Sequence, residues 1–451
     1  MKFYDRANEL KRVGEFREIV EAKGSRVLVI TGRRRIGKTR LAIESAKSAN
    51  HLYFFTKKKR INEIITEWSE EVKKKFGDIF YGNFPDIEEF FKFLLDFSAK
   101  NPLVIIFDEV QNLLLSDSSA FGTFQKVYDL YKEKSHALLI FLGSSFSLMN
   151  KIFKNAKEPL FGRASDIMTI SYLPLKAQEE ILKDADLFSG ENLLHLFSIF
   201  DGIPKYIEEL VDIGHKEFKE NLKFLLTERE FLWDEGENLL KEEFGKEYSS
   251  YYSIMSAISK GRRKLNDIEQ FTGIKDAGVY LKNLEETYKM ISRRLPVTAR
   301  SVKERDGRYY MRDNFLDFWF RFVEARRNLK EIDRAEEAFV EIWEQLPIYE
   351  GRKLEDMAIR KMIEENPLEI HFTRAGKYWD RKGTVDMDAV FIDDREHKVY
   401  LFEVKINRQK IRRQQLEDLK AKAAAIPELK GYEIILGISY IDESGLKMEI
   451  V

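Results

Sequence analysis

Residues 32–39 read Gly-Arg-Arg-Arg-Ile-Gly-Lys-Thr, preceded by the apolar run Arg26–Thr31 and followed by the amphipathic stretch Leu41–Ala49. This strand–loop–helix order constrains the fold more than any other feature of the chain. The two glycines let the backbone curl so that successive N–H groups face one point, and the helix that follows adds the positive end of its dipole. A G-x-x-x-x-G-K-[ST] spacing in that context predicts a polyphosphate cradle, with Lys38 reaching the β- and γ-phosphates and Thr39 offering its hydroxyl to Mg²⁺. Gly32, Arg35, Gly37, Lys38, Thr39 and Arg40 are the expected nucleotide contacts, and ATP with Mg²⁺ the expected cofactors.

A second element fits the first. Leu103–Phe107 is a run of apolar residues that ends in Asp108-Glu109. A strand buried on both faces delivers its carboxylates at its C-terminal end, where α/β sheets place their ligands. Asp108 is expected to hold Mg²⁺ through its water shell, and Glu109 to orient or deprotonate an attacking water. The same two acids would also serve as a helix cap. The strand His51–Thr56 lies between the loop and this pair, and it marks the inserted-strand (ASCE) type of phosphate-loop protein, which activates water for hydrolysis. Ser144, after the apolar strand Ala137–Leu142, falls where a γ-phosphate contact is needed, although Gly143-Ser144-Ser145 also reads as a plain turn. Arg163 lies in a loop before another strand and is either an arginine finger or one surface arginine among 76 basic residues.

Phe3-Tyr4-Asp5-Arg6-Ala7-Asn8-Glu9-Leu10, Gly32–Thr39, Phe107-Asp108-Glu109, Leu142–Ser145, Phe161-Gly162-Arg163 and Asp201-Gly202-Ile203-Pro204 occur in this order. With them the chain resembles, over nearly its whole length, the archaeal-type AAA+/STAND-like ATPases that carry a C-terminal DUF234 domain. The resemblance implies that Arg6 lies near the adenine, Arg163 near the γ-phosphate, and Pro204 in a sensor-2-like segment.

Beyond Pro174 the pattern is almost wholly helical to about Glu247. Residues 251–300 then hold ten Lys/Arg against five Asp/Glu, in a chain whose net charge is −1. Tyr251–Ser259, Leu265–Phe271 and Asp276–Glu286 read as three short helices, followed by the short strands Met290–Leu295 and Arg308–Met311. This is the layout of a winged helix, with Asp276–Glu286 as the recognition helix and double-stranded DNA as the expected partner of 251–311. Phosphate contacts would come from Arg262, Arg263, Lys264, Lys275, Lys282, Arg293, Arg294 and Arg300, unless the module only packs and couples its neighbours. The aromatic patch Phe315–Phe322 reads as packing, and Pro347 is expected to close the helical stretch Asp313–Leu346.

In the last hundred residues, Asp386 and Asp388 alternate with apolar residues on one strand, and Glu403 and Lys405 do so on the next. A D…E-x-K set on adjacent strands supplies carboxylates for a second metal and a lysine to polarise water, with Glu355 able to complete it. It looks like the PD-(D/E)xK nuclease core, in which Gln414 and Gln415 would add polar contacts; ordinary salt-bridged alternation gives the same pattern.

The expected fold is therefore a multidomain α/β chain. A parallel phosphate-loop NTPase sheet (1–173) precedes a helical lid (174–248), a winged-helix domain with its aromatic segment (249–347) and a restriction-endonuclease-like α/β domain (348–451). The absence of cysteine excludes disulfides, thiolate metal sites and a cysteine nucleophile. The N-terminus has no apolar signal core, and Ser135–Asn150, the longest uncharged run, is too short and polar to span a bilayer, so no membrane partner and a cytoplasmic location are expected. Three functions follow from the pattern: an ATP-hydrolysing molecular switch coupled to DNA binding, an ATP-gated metal-dependent DNA endonuclease, or an ATP-regulated scaffold.

Overall fold

A computed structural model of the chain describes residues 2–77, 82–300, 307–381 and 384–451. Residues 301–306, inside the stretch expected to meet DNA, lie outside the described residues. The chain divides into two units, Phe3–Tyr172 and Leu173–Val451.

In the first unit the strands β1 (Arg26–Thr31), β2 (His51–Phe55), β3 (Leu103–Asp108), β4 (Ala137–Gly143) and β5 (Asp166–Thr169) form one parallel sheet in the order β2-β3-β4-β1-β5. Every residue of β3 and β4 is buried, as expected of apolar runs covered on both faces. The helices Ile61–Phe76 and Ile87–Ser98 pack Trp68 and Phe90 against Phe54 and Phe107, with Trp68 and Phe90 ring centroids 5.0 Å apart. The inserted-strand (ASCE) fold is present, with β4 rather than His51–Phe55 as the strand between the loop strand β1 and the acid-bearing β3; His51–Phe55 lies at the sheet edge. Parallel crossovers can return to either side of a strand, so order along the chain does not give order across the sheet.

The second unit begins with five helices between Leu175 and Phe244. Helices Tyr248–Ser259, Leu265–Thr272 and Ala277–Glu286 follow, then the antiparallel hairpin β6 (Ile291–Arg294) and β7 (Arg308–Met311). This is a winged-helix arrangement. The aromatic patch is buried, with Phe315, Phe318 and Trp319 each at 0% exposure, and Trp319 Nε1 donates to the Trp233 carbonyl at 3.1 Å.

Pro347 does not close a helix. The segment after Asp313 breaks into short turns, and a helix of 30 residues then runs from Ala335 to Glu364 with Pro347 inside it. An internal proline costs roughly 3 kcal/mol. Burial of Ile342 and Leu346 before it, and of Tyr349, Leu354 and Met357 after it, offsets that cost. The helix crosses the boundary expected at 347/348 and ties its surroundings together. Tyr349 Oη donates to the Ser198 carbonyl at 3.1 Å, Lys353 pairs with Asp317 at 2.7 Å, and Arg360 donates to the Leu173 carbonyl at 2.8 Å.

The C-terminal sheet has the order β12-β11-β10-β9-β8, from β8 (Arg374–Trp379), β9 (Asp386–Asp393), β10 (Lys398–Val404), β11 (Glu433–Asp442) and β12 (Gly445–Ile450). Only β10 and β11 pair in parallel, across the helix Arg413–Ala424; the other pairs are antiparallel. The edge strands β8 and β12 were not expected, because charged and glycine residues interrupt their apolar alternation. Among the described residues no helix is long and apolar enough to cross a membrane.

Candidate nucleotide site

The helix Lys38–Ala46 starts from Gly37, whose φ of 93° is a left-handed value that a side chain would strain, and Arg35 also takes a positive φ of 67°. These turns gather the backbone N–H groups at the head of the helix. Lys38 is only 5% exposed, and its ammonium donates to the carbonyls of Gly32 at 2.9 Å and Arg33 at 3.0 Å. Arg40 lies exposed in the first turn of the same helix.

At the C-terminal end of β3, Asp108 is 3% exposed and accepts hydrogen bonds from Thr39 Oγ1 (2.5 Å), Tyr53 Oη (2.9 Å) and the Glu109 N–H (2.8 Å). Burial pushes its carboxyl above the usual range, the Glu109 charge adds to this, and the Thr39 and Tyr53 hydroxyls oppose it. Burial and the Asp108 charge likewise raise the Tyr53 phenol. A buried acid held by hydroxyls and an N–H, beside the loop threonine, is a donor set suited to a hard divalent cation. Thr39 and Asp108 are the residues that would hold Mg²⁺.

Glu109 sits in the left-handed region at φ 51°, a strained value for a non-glycine residue and one that turns its side chain out of the strand line. Its Oε2 accepts from Ser144 Oγ at 2.7 Å and from Gln111 Nε2. Ser144 can make this bond because β4 lies next to β3. A Cβ on Gly143 would come within 2.7 Å of Gln111 Oε1 and closer still to Met149, so a larger residue here would push against the side chain that steadies Glu109. Tyr53 and Gln111 join the site beyond the residues expected from the sequence. The adjacency of β2 and β3 and the position of Gln111 two residues after Glu109 are the signals that point to them.

The remaining expected residues are placed as follows. Arg6 is 6% exposed, and it pairs with Glu9 at 3.2 Å and donates to the Ser171 carbonyl. Arg163 donates to Asp129 at 3.0 Å and to the Phe161 carbonyl at 3.1 Å, so its guanidinium is engaged on the helix Ala120–Tyr131. Pro204 belongs to the other unit, as the first residue of the helix Pro204–Val211.

The C-terminal set converges. Lys405 Nζ lies 2.6 Å from Glu403 and 3.8 Å from Asp388, and Asp388 Oδ2 accepts from the Val404 N–H at 3.1 Å. Glu355 pairs with Lys377 at 2.8 Å, and Lys377 reaches Asp356 at 3.0 Å. Burial pushes the Glu355 carboxyl up to about 7 against the pull of Lys377, with the Asp388 charge adding to the rise. Burial also raises Asp388, opposed by Lys405. Each of these carboxylates thus has a lysine close by, and among the described residues no three or more His, Asp and Glu side chains form a metal-ligand group. Gln414 and Gln415 bond locally, to Asp418 at 2.9 Å and to the Arg412 N–H at 2.8 Å.

A model for an ATPase domain predominantly from Archaea matches residues 3–210, and the DUF234 model, for archaeal and bacterial proteins of unknown function, matches 319–418. An uncharacterized protein of Methanocaldococcus jannaschii is 32% identical over 448 residues, covering 96% of this chain and 95% of its own. The chain belongs to the archaeal ATPase family with a C-terminal DUF234 region. This ATPase-family protein is similar in fold to the Walker-type ATPase PABY2304 of Pyrococcus abyssi (TM-score 0.53, 17% identity, 71% of this chain and 96% of that one). It is also similar to the Aeropyrum pernix ORC2 protein solved in ADPNP–ADP complexes (TM-score 0.52, 14% identity, 75% and 96%). At these identities the likeness carries the fold alone.

Proposed function

We propose that this protein hydrolyses ATP with Mg²⁺ and acts in the cytoplasm as a molecular switch whose winged helix contacts double-stranded DNA. One observation carries the hydrolytic reading: Thr39 and Ser144 reach, respectively, the two adjacent acids Asp108 and Glu109 at the C-terminal end of the parallel sheet. The bound Mg²⁺ would neutralise phosphate charge. Lys38 and the loop N–H groups grip the β- and γ-phosphates, Arg40 and Arg35 add charge around the loop, and Arg6 supports the adenine side. Glu109, oriented by Ser144 and Gln111, takes or directs the proton of the attacking water. Arg163 serves as a finger on the γ-phosphate once released from Asp129, and Pro204 sets the segment that senses the nucleotide.

The DNA reading is supported by Arg262, Lys264, Lys275 and Lys282, which are exposed in the winged-helix segment. Arg294 does not share that role, because it is paired with Asp356 at 2.7 Å. The test combines phosphate release from Mg·ATP with salt-dependent binding to duplex DNA by the same purified chain. Turnover that needs Mg²⁺ supports the switch; no turnover with or without DNA rejects it.

The convergence of Glu355, Asp388, Glu403 and Lys405 favours a second reading, an ATP-gated metal-dependent endonuclease, with Asp388 and Glu403 as metal ligands and Lys405 polarising the water. Under that reading Asp388→Ala abolishes Mg²⁺- or Mn²⁺-dependent DNA cleavage and spares ATP turnover.

A further inference from the structure

A cavity of about 160 Å³ opens within the second unit, walled by the winged-helix hairpin, the helix Ala335–Glu364 and the strands β8 and β9. Seven Lys and Arg side chains line it against four carboxylates. Gathering like charges around one space is costly unless each finds a partner. Most of the acids are already committed. Asp356 pairs with Arg294 and Lys377, Glu355 with Lys377, and Asp317 with Lys353.

Among the described residues, three arginines have no carboxylate partner: Arg263, Arg308 and Arg352. Two of them are held by rings instead, Arg263 at 4.2 Å from the Tyr310 centroid and Arg308 at 4.7 Å from that of Trp379. Stacking uses the face of a guanidinium and leaves its N–H edges in a fixed fork, the geometry that grips a tetrahedral oxyanion through two parallel bonds. A fourth, Arg321, has a buried Nε without a hydrogen-bond partner on the same wall.

We propose that this cavity binds a phosphate group, carried either by a small nucleotide or by the end of a nucleic-acid strand, through Arg263, Arg308 and Arg352. Glu355 and the β9 residue Asp386 line the cavity, so a bound phosphate lies beside the start of the acid-bearing strand. Every cavity residue belongs to Leu173–Val451, so the assignment goes beyond the ATPase reading and stands without it.

The test is calorimetric titration of the full chain carrying Lys38→Ala, so that the phosphate loop does not compete. The probes are inorganic phosphate, AMP and a single-stranded oligonucleotide with and without a 5′-phosphate. At least one phosphate-bearing probe is expected to bind, and Arg308→Ala or Arg352→Ala should weaken it about tenfold or more, as loss of a charge-assisted fork does. Arg352 is exposed on a helix, so its alanine variant tests the site even if Arg308→Ala fails to fold; Arg352→Lys should recover only part of the affinity. Binding of phosphate or AMP identifies a small ligand, and binding of the oligonucleotide alone identifies a strand. Absence of binding by every probe, or affinities unchanged in both alanine variants, overturns the proposal.

Discussion

Both units gather carboxylates at one edge of a sheet, at the C-terminal end of the parallel strand β3 in one and where the start of β9 meets the end of β10 in the other, but they balance the charge differently. Around β3 the acids meet hydroxyls, an amide and a backbone N–H, and the nearby Lys38 spends its ammonium on loop carbonyls. Around β9 and β10 each acid already has a lysine, Lys405 for Glu403 and Asp388 and Lys377 for Glu355. Buried acids with neutral partners are poised for a cation from outside, whereas acids with built-in lysines are partly satisfied without one. On this difference the proposed metal-dependent chemistry is expected in the phosphate-loop unit rather than the C-terminal sheet.

The strongest challenge to this ranking is Lys38→Ala, which should lower ATP turnover on the order of a thousandfold by removing the phosphate clamp; full phosphate release by the variant would end the phosphate-loop reading. Asp108→Asn should raise the Mg²⁺ concentration needed for half-maximal turnover by roughly ten- to a hundredfold. Asp388→Asn should leave that concentration unchanged, and an equal shift in both variants would erase the contrast. Arg163→Ala should lower kcat by about tenfold with nucleotide affinity preserved, while an unchanged rate would leave it the partner of Asp129 alone.

The smallest effect concerns Glu355. Its folded pKa, about 7, lies above its ordinary value of 4.5, so the native state binds the extra proton between those limits. Stability therefore falls as pH rises through that window and levels off above it. Relative to wild type, Glu355→Gln should gain on the order of 1–3 kcal/mol at pH 8 and little at pH 4, read as Tm across pH. Lys377, Asp356, Asp388 and Lys405 face this group, and a flat difference across pH would mean that they hold it ionised throughout.

The loop and the two central strands were legible because Arg26–Thr31 and Leu103–Phe107 carry unbroken apolar runs next to their polar motifs. Sheet order was not, because nothing local in Ala137–Gly143 says that it lies between β1 and β3; this placement brings Ser144 to Glu109. Pro347 misled for a related reason, since its local cost is outweighed by residues far away in sequence such as Ser198 and Asn314, whose carbonyls accept from Tyr349. Arg294 showed only a charge, and its inward pairing with Asp356 needed the fold. Glu355 could be read from the sequence only as a residue able to complete the Asp388 set; its pairing with Lys377 needed the fold.

The central claim is that Glu109 directs water at a phosphate held by the loop. Parallel measurement of ATP affinity and single-turnover hydrolysis in Glu109→Gln tests it most directly. The account predicts unchanged affinity with hydrolysis slowed about a hundredfold or more. Equal loss of binding and hydrolysis, or a rate like that of wild type, would contradict it and make Glu109 a structural partner of Ser144 and Gln111.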